Sequence, residues 1–146
     1  MTQITVERTI RAPVARVFKT VADIREFSKA LPHIVRFEFL SQEQTGPGTR
    51  FREFRMMRGK EMMTELEVTE HVDDDHVRMV ADSHGAVWDT VFSVADAGGE
   101  TRLTMTMEAR PYKIMPRLMI PLTKGMISKA VARDMDLIQE YCEANP

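Results

Sequence analysis

The chain opens on alternation with a period of two. Ile4 and Val6 are apolar, Thr5 and Glu7 polar, and Ile10 returns after an apparent phase slip, a pattern that predicts a first strand. Ala12-Pro13 stops it. Proline costs nothing in a first helical turn, and Val14, Val17, Phe18 and Val21 follow at the spacing of a buried stripe, so a helix is predicted to about Ala22. Asp23 is placed to cap a second short helix carrying Ile24, Phe27 and Leu31 on one face, and Pro32 ends it by disfavouring helical geometry at Leu31.

From residue 34 to 109 the period is that of strands separated by turn chemistry. The predicted strands are Ile34 to Ser41, Thr49 to Met57, Lys60 to Glu70, His76 to Asp82, Ala86 to Val94 and Thr101 to Ala109. Gly46-Pro47-Gly48, Arg58-Gly59, Asp73-Asp74-Asp75 and Ala97-Gly98-Gly99 mark turns. Met62, Thr64, Leu66 and Val68 share one face of their strand, and Leu103, Met105 and Met107 share one face of theirs. Connections this short imply an antiparallel meander, because a parallel crossover needs a dozen or more residues.

The tail from about Met115 to Glu143 is helical. Lys129, Arg133, Asp136, Glu140 and Glu143 form a solvated stripe opposite Ile127, Val131, Ile138 and Cys142. Traced backward, the charged stripe runs into Met126, Leu122, Leu118 and Met115, so the apolar face changes phase, with Pro121 and Gly125 at the change and a bend expected there. Seven antiparallel strands, two short helices after the first and a long helix after the last make an α+β architecture in which a curved sheet wraps the terminal helix. One helix does not fill such a concavity. A residual apolar cavity is therefore expected between sheet and helix.

This order of elements, with Ala12-Pro13-Val14 to Val17-Phe18 after strand one, Gly46-Pro47-Gly48-Thr49-Arg50, Glu67-Val68-Thr69-Glu70 and Gly98-Gly99-Glu100-Thr101-Arg102-Leu103-Thr104, resembles the helix-grip superfamily. Specifically, it resembles the START-like SRPBCC group in its polyketide cyclase/dehydrase branch. The likeness covers essentially the whole chain, and its motifs are turns and strand starts, which speak to fold and hardly to function. It implies functions ranging from lipid carriage to aromatic ring closure. The glycine-rich loop of the plant-allergen branch has no counterpart in Met57-Arg58-Gly59-Lys60.

Composition narrows the classes. The 146 residues, 43% apolar and 29% charged, support one domain over residues 1–146 with a sizeable core. No stretch approaches the ~18 apolar residues of a membrane span. No basic segment followed by an apolar stretch begins the chain, so a cytoplasmic location is expected. Cys142 stands alone, which excludes an internal disulfide and a cysteine-based zinc cluster. A net charge of −2 gives no electrostatic reason to expect nucleic-acid binding. No nucleophile elbow, phosphate-cradling loop, dinucleotide fingerprint or Cys-x-x-Cys occurs, and no cofactor or metal is expected.

Twelve methionines stand out. Met62, Met105, Met107, Met119 and Met126, with Leu122, are either core filling or the wall of a pocket for a flexible hydrophobic ligand, since the thioether adapts to shape. Trp88, in phase with Thr90 and Phe92, and Tyr112, at the hand-over from last strand to helix, either pack or stack on a planar ligand. The third strand carries Phe51, Glu53, Arg55 and Met57 in one phase and Arg50, Arg52, Phe54 and Met56 in the other. Its favoured reading is a convex, solvent-facing strand with ordinary cross-strand pairs. The alternative is a buried patch in which Arg55, paired with Glu53, Glu65 or Asp89, polarises a ligand carbonyl. His33 and His84 are further candidate bases, whereas His71 and His76 flank a solvated turn and match no metal spacing.

Three functional expectations follow. The first is a carrier or sensor whose cavity takes a lipid, isoprenoid or polyketide-like aromatic, with Met62, Trp88, Phe92, Met105, Met107, Tyr112, Met119, Leu122 and Met126 against the ligand. The second is a cyclase or dehydratase in which Arg55, His33, His84 or Tyr112 orients and polarises a poly-carbonyl chain. The third takes Met115, Leu118, Leu122 and Met126 as an exposed patch for a second copy in a homodimer, a membrane surface or a quinone-handling complex, as in the coenzyme-Q-binding relatives of the superfamily.

Overall fold

The computed structural model describes residues 2–146. Its elements run β1 (Thr2–Ile10), α1 (Val14–Ala22), α2 (Ile24–Ala30), β2 (Ile34–Phe39), β3 (Arg50–Met57), β4 (Lys60–Val72), β5 (His76–Ser83), β6 (Ala86–Ala97), β7 (Glu100–Pro111) and α3 (Ile114–Ala144). All seven strands form one antiparallel sheet in the order β1-β7-β6-β5-β4-β3-β2. This is the helix-grip arrangement, with β1 returning to pair with the last strand.

The turns follow from their residues. Arg58-Gly59 and His84-Gly85 close two-residue hairpins with positive φ at both positions, the geometry whose twist matches that of the flanking strands. The β5–β6 turn also anchors the long helix, since the backbone N–H groups of Tyr112 and Lys113 both donate to the Gly85 carbonyl, at 2.9 and 3.2 Å. A Cβ on Gly85 would stand 2.8 Å from the Lys113 side chain, so the anchor depends on glycine there.

Alternation in β1 continues without a slip. Ile4, Val6, Arg8 and Ile10 all face the helix, and Arg8 fills the inward slot by donating from Nε to Asp136 Oδ1 of α3 at 2.8 Å. Asp23 caps α2 by accepting from the Arg25 N–H at 2.9 Å, and Ile24, Phe27, Ala30 and Leu31 are buried beneath it. β6 and β7 run past the predicted ends: Ala95, Asp96 and Ala97 pair with Arg102, Thr101 and Glu100 up to the Gly98-Gly99 turn.

The core lies between the concave face of the sheet, α1, α2 and the C-terminal half of α3. Val131, Met135, Ile138 and Cys142 of α3 pack there against Leu103, Val77, Phe92 and the buried side of α1. Burial pushes the Cys142 thiol pKa up, and the thiol donates to Thr20 Oγ1 at 3.5 Å, so the lone cysteine packs. The N-terminal half of α3 differs. The helix runs unbroken through Pro121, and the Thr123 hydroxyl donates to the Met119 carbonyl at 3.0 Å in the turn the proline disturbs. In that half only Ile120 is buried, while Ile114, Met115, Leu118, Leu122 and Met126 are exposed. Among the described residues, no helix is long and apolar enough to cross a membrane.

Candidate ligand-binding site

Between the sheet and α3 lies a cavity of about 630 Å³, within the range of roughly 300–1,000 Å³ that takes drug-sized molecules. Register explains its wall. On the concave face Phe51 pairs with Leu66, Met79 with Thr90, Trp88 with Ala109, Thr90 with Met107 and Phe92 with Met105, so each rung contributes side chains to the same side. Ile127, Ala130, Val131 and Met135 of α3 close it from above, and Val21, Ile24 and Phe27 from the end.

One part of this apolar wall is ionic. Glu53 and Arg55 of β3 point inward, and Glu53 is only 7% exposed. Arg55 donates from Nε to Glu53 Oε1 at 2.6 Å and from Nη1 to Asp134 Oδ2 of α3 at 2.8 Å. His33, from the turn before β2, brings Nε2 within 3.3 Å of both Arg55 Nη1 and Asp134 Oδ1. Burial works against the Arg55 charge, but the two carboxylates more than offset it and the guanidinium pKa lies above its ordinary value. Two formal negative charges face one guanidinium. Among the described residues no group accepts from Arg55 Nη2, which leaves its two N–H groups free on a side chain that lines the cavity.

The convex, solvent-facing reading of β3 is thereby corrected for one of its two faces. Arg50, Arg52, Phe54 and Met56 do face outward, and Arg52 pairs with Glu38 and Glu65. Phe51, Glu53, Arg55 and Met57 face the cavity, and there the charges are paired within the protein, which is the condition for burying them. The expected partners Glu65 and Asp89 are wrong for a geometric reason. Each sits on the convex side, where Asp89 holds Arg78 at 2.6 Å and Arg110 at 3.2 Å. Asp134 takes the place assigned to them; its signal is an acidic residue on the apolar stripe of α3, three positions after Val131 and four before Ile138.

Of the candidate side chains, Arg55 and His33 come together, though His33 touches the cluster from outside the cavity wall. His84 lies on the wall at the β5–β6 turn with Nδ1 at 2.7 Å from Ser83 Oγ, and has no contact with the cluster. Met62, Trp88, Phe92, Met105, Met107 and Met119 line the cavity. Tyr112, Leu122 and Met126 do not. The Tyr112 hydroxyl donates to Asp82 Oδ1 at 2.6 Å, which raises the phenol pKa away from neutrality, and its ring faces solvent. Leu122 and Met126 fall on the outer face of α3 because the helix continues through Pro121 without turning that stripe inward. His71 and His76 occupy successive register positions and so point to opposite faces; His71 packs on Phe18, and His76 is held by Asp75 and Glu70.

The profile of the family described as polyketide cyclase / dehydrase and lipid transport matches residues 1–143. The chain belongs to this family. Among solved structures of the same fold, a protein of Thermus thermophilus is 21% identical over 98% of both chains with a TM-score of 0.78. The di-domain ARO/CYC BexL from the BE-7585A biosynthetic pathway is 14% identical over 99% of this chain and 51% of its own, at TM-score 0.79. A START superfamily protein from Mycobacterium smegmatis is 14% identical over 97% and 94%, at TM-score 0.72. No curated protein matches the sequence. In this chain the cavity wall carries Glu53, Arg55 and Asp134 together with nine methionines.

Proposed function

We propose that this protein binds one small hydrophobic molecule in the cavity between sheet and α3, as a carrier or sensor, and that the molecule is neutral with an oxygen at one end. The observation that carries the reading is a large apolar cavity whose wall holds an ionic cluster with two unused N–H donors. Those donors suit a carbonyl or hydroxyl oxygen. A ligand carboxylate would meet a guanidinium already matched by two carboxylates, and so gains little from it while losing its own hydration. Met57, Met62, Met63, Met79, Met105, Met107, Met115, Met119 and Met135 give the wall the adaptability that a flexible chain or fused ring requires.

Arg55 also supports an enzymatic reading, in which its Nη2 polarises a carbonyl. The surroundings favour the carrier: of the candidate bases, His33 touches the cluster from outside the cavity wall, Tyr112 is turned out to solvent with its phenol pKa raised by Asp82, and His84 has no contact with the cluster. Titration with an apolar fluorescent probe tests the proposal. Saturable uptake of one probe per protein is expected, reduced at least about tenfold by Thr90→Phe, which projects a ring into the cavity from mid-β6; no saturable uptake overturns it.

A further inference from the structure

Among the described residues thirteen large apolar side chains are exposed, and eleven of them lie in two places, the β3–β4 hairpin and the segment from Tyr112 to Met126. The two places are one surface, because Arg58 at the hairpin tip donates from Nη2 to Met126 Sδ of α3 at 3.2 Å. Ile114, Leu118, Leu122 and Met126 follow one another at helical spacing along it, and Leu122 is 79% exposed. A monomer rarely leaves so much contiguous apolar surface in water. The surface also surrounds the cavity mouth, since Met57, Met62, Met115 and Met119 are at once exposed and on the cavity wall.

Charge decides the occupant. Among the described residues, twelve of the chain's twenty basic side chains are in ion pairs. Of the eight that are not, five belong to this surface, Arg58 and Lys60 on the hairpin and Lys113, Arg117 and Lys124 on the helical segment, and Lys129 and Arg133 follow on the same helix beyond Met126. Between Glu108 and Asp134 the sequence contains no acidic residue, in a chain whose net charge is −2. We infer that this face docks on an anionic lipid bilayer, with Leu118, Leu122 and Ile114 entering the interface and Arg58, Lys60, Arg117 and Lys124 at the headgroups, so that the cavity mouth opens toward the membrane. A second copy of the chain fits poorly, because two such faces would bring like charges together.

The inference does not depend on the ligand reading, since vesicle binding is measured on the protein alone. Full-length protein is sedimented with vesicles of phosphatidylcholine alone and with one-quarter phosphatidylglycerol. Binding is expected to the anionic vesicles, weakened by raising salt from 0.1 to about 0.5 M, where the screening length falls to roughly half. Each basic side chain near such a surface contributes roughly fivefold to partitioning, so Arg117→Glu with Lys124→Glu lowers it by at least about 25-fold. Leu118→Glu with Leu122→Glu lowers it at least tenfold by the loss of inserted apolar surface, about 0.8 kcal/mol per CH₂ before the added charge is counted, where 1.4 kcal/mol is tenfold. Both pairs leave one-to-one probe uptake without vesicles unchanged. Equal partitioning to the two vesicle types, or no response to either pair, overturns the inference. So does a concentration-dependent dimer by light scattering that Leu118→Glu with Leu122→Glu dissolves, which would assign the face to a second copy. The wild-type lipid and salt series stands without the variants.

Discussion

Replacing Asp134 by Asn tests the charge balance at the polar end of the cavity. The change keeps the shape of the side chain and an oxygen acceptor for Arg55 Nη1, now 2.8 Å away, but removes one of the two negative charges facing the guanidinium. A ligand oxygen bound at Arg55 Nη2 would sit about 6 Å from that charge, and unit charges at about 6 Å in an effective dielectric of about 20 interact by about 3 kcal/mol. Solvent at the mouth weakens this, so a change between about 1.4 and 3 kcal/mol is expected, or about tenfold to a hundredfold. The assay is displacement of an apolar fluorescent probe by decanol and by decanoate at pH 8. Wild type is expected to prefer decanol, and Asp134→Asn to shift the alcohol-to-carboxylate ratio toward decanoate by that factor. The variant folds, because Arg55 keeps Glu53 at 2.6 Å and both members of the broken pair are about a fifth to a quarter exposed, which places the cost near 1–2 kcal/mol. An unchanged ratio would refute the reasoning, since the carboxylate would then not be felt at the ligand.

Other expectations are simpler to read. Ile138→Ala, at a fully buried site, costs about 2–5 kcal/mol in denaturant unfolding, whereas Leu122→Ala on the same helix stays within about 0.5 kcal/mol; similar losses at both would contradict the division of α3 into a packed half and an open half. Asp89, whose carboxyl is held below its usual pKa by hydrogen bonding from Arg78, contributes stability that is present above the unfolded carboxyl pKa of about 3.9 and lost as pH falls through the folded value. The melting-temperature difference between wild type and Asp89→Asn is therefore expected to be level from pH 7 to about 5 and to shrink below about 4; a difference that does not shrink would contradict this role of Asp89.

Much of the fold could be read in advance because its alternation is uninterrupted where the strands bury one face, as along Leu103, Met105 and Met107, and because three of its hairpins are closed by Gly-bearing pairs and the β4–β5 hairpin by Asp73-Asp74-Asp75. Where local signals fail, a tertiary contact has intervened. A charged residue, Arg8, occupies an inward position of β1 because Asp136 of α3 supplies its partner, and Ala95, Asp96 and Ala97, whose apolar positions fall out of phase with Phe92 and Val94, continue the ladder. The cavity wall was legible for Trp88, Phe92, Met105 and Met107 for the same reason as the strands. Its ionic cluster was only half legible. Glu53 and Arg55 share a phase, but nothing local states that the concave side is theirs, and Asp134 enters because α3 crosses β3, a meeting that spacing along either element does not encode. Apolar character does not itself give direction, and the structure places Tyr112, Leu122 and Met126 off the cavity wall and exposed.

Native mass spectrometry of the protein purified without detergent from its own host tests the central claim most directly. One adduct per chain is expected, a neutral apolar molecule containing oxygen, absent from Thr90→Phe prepared alongside. A bare polypeptide mass from every preparation, with no adduct regained on incubation with a membrane extract, would contradict it.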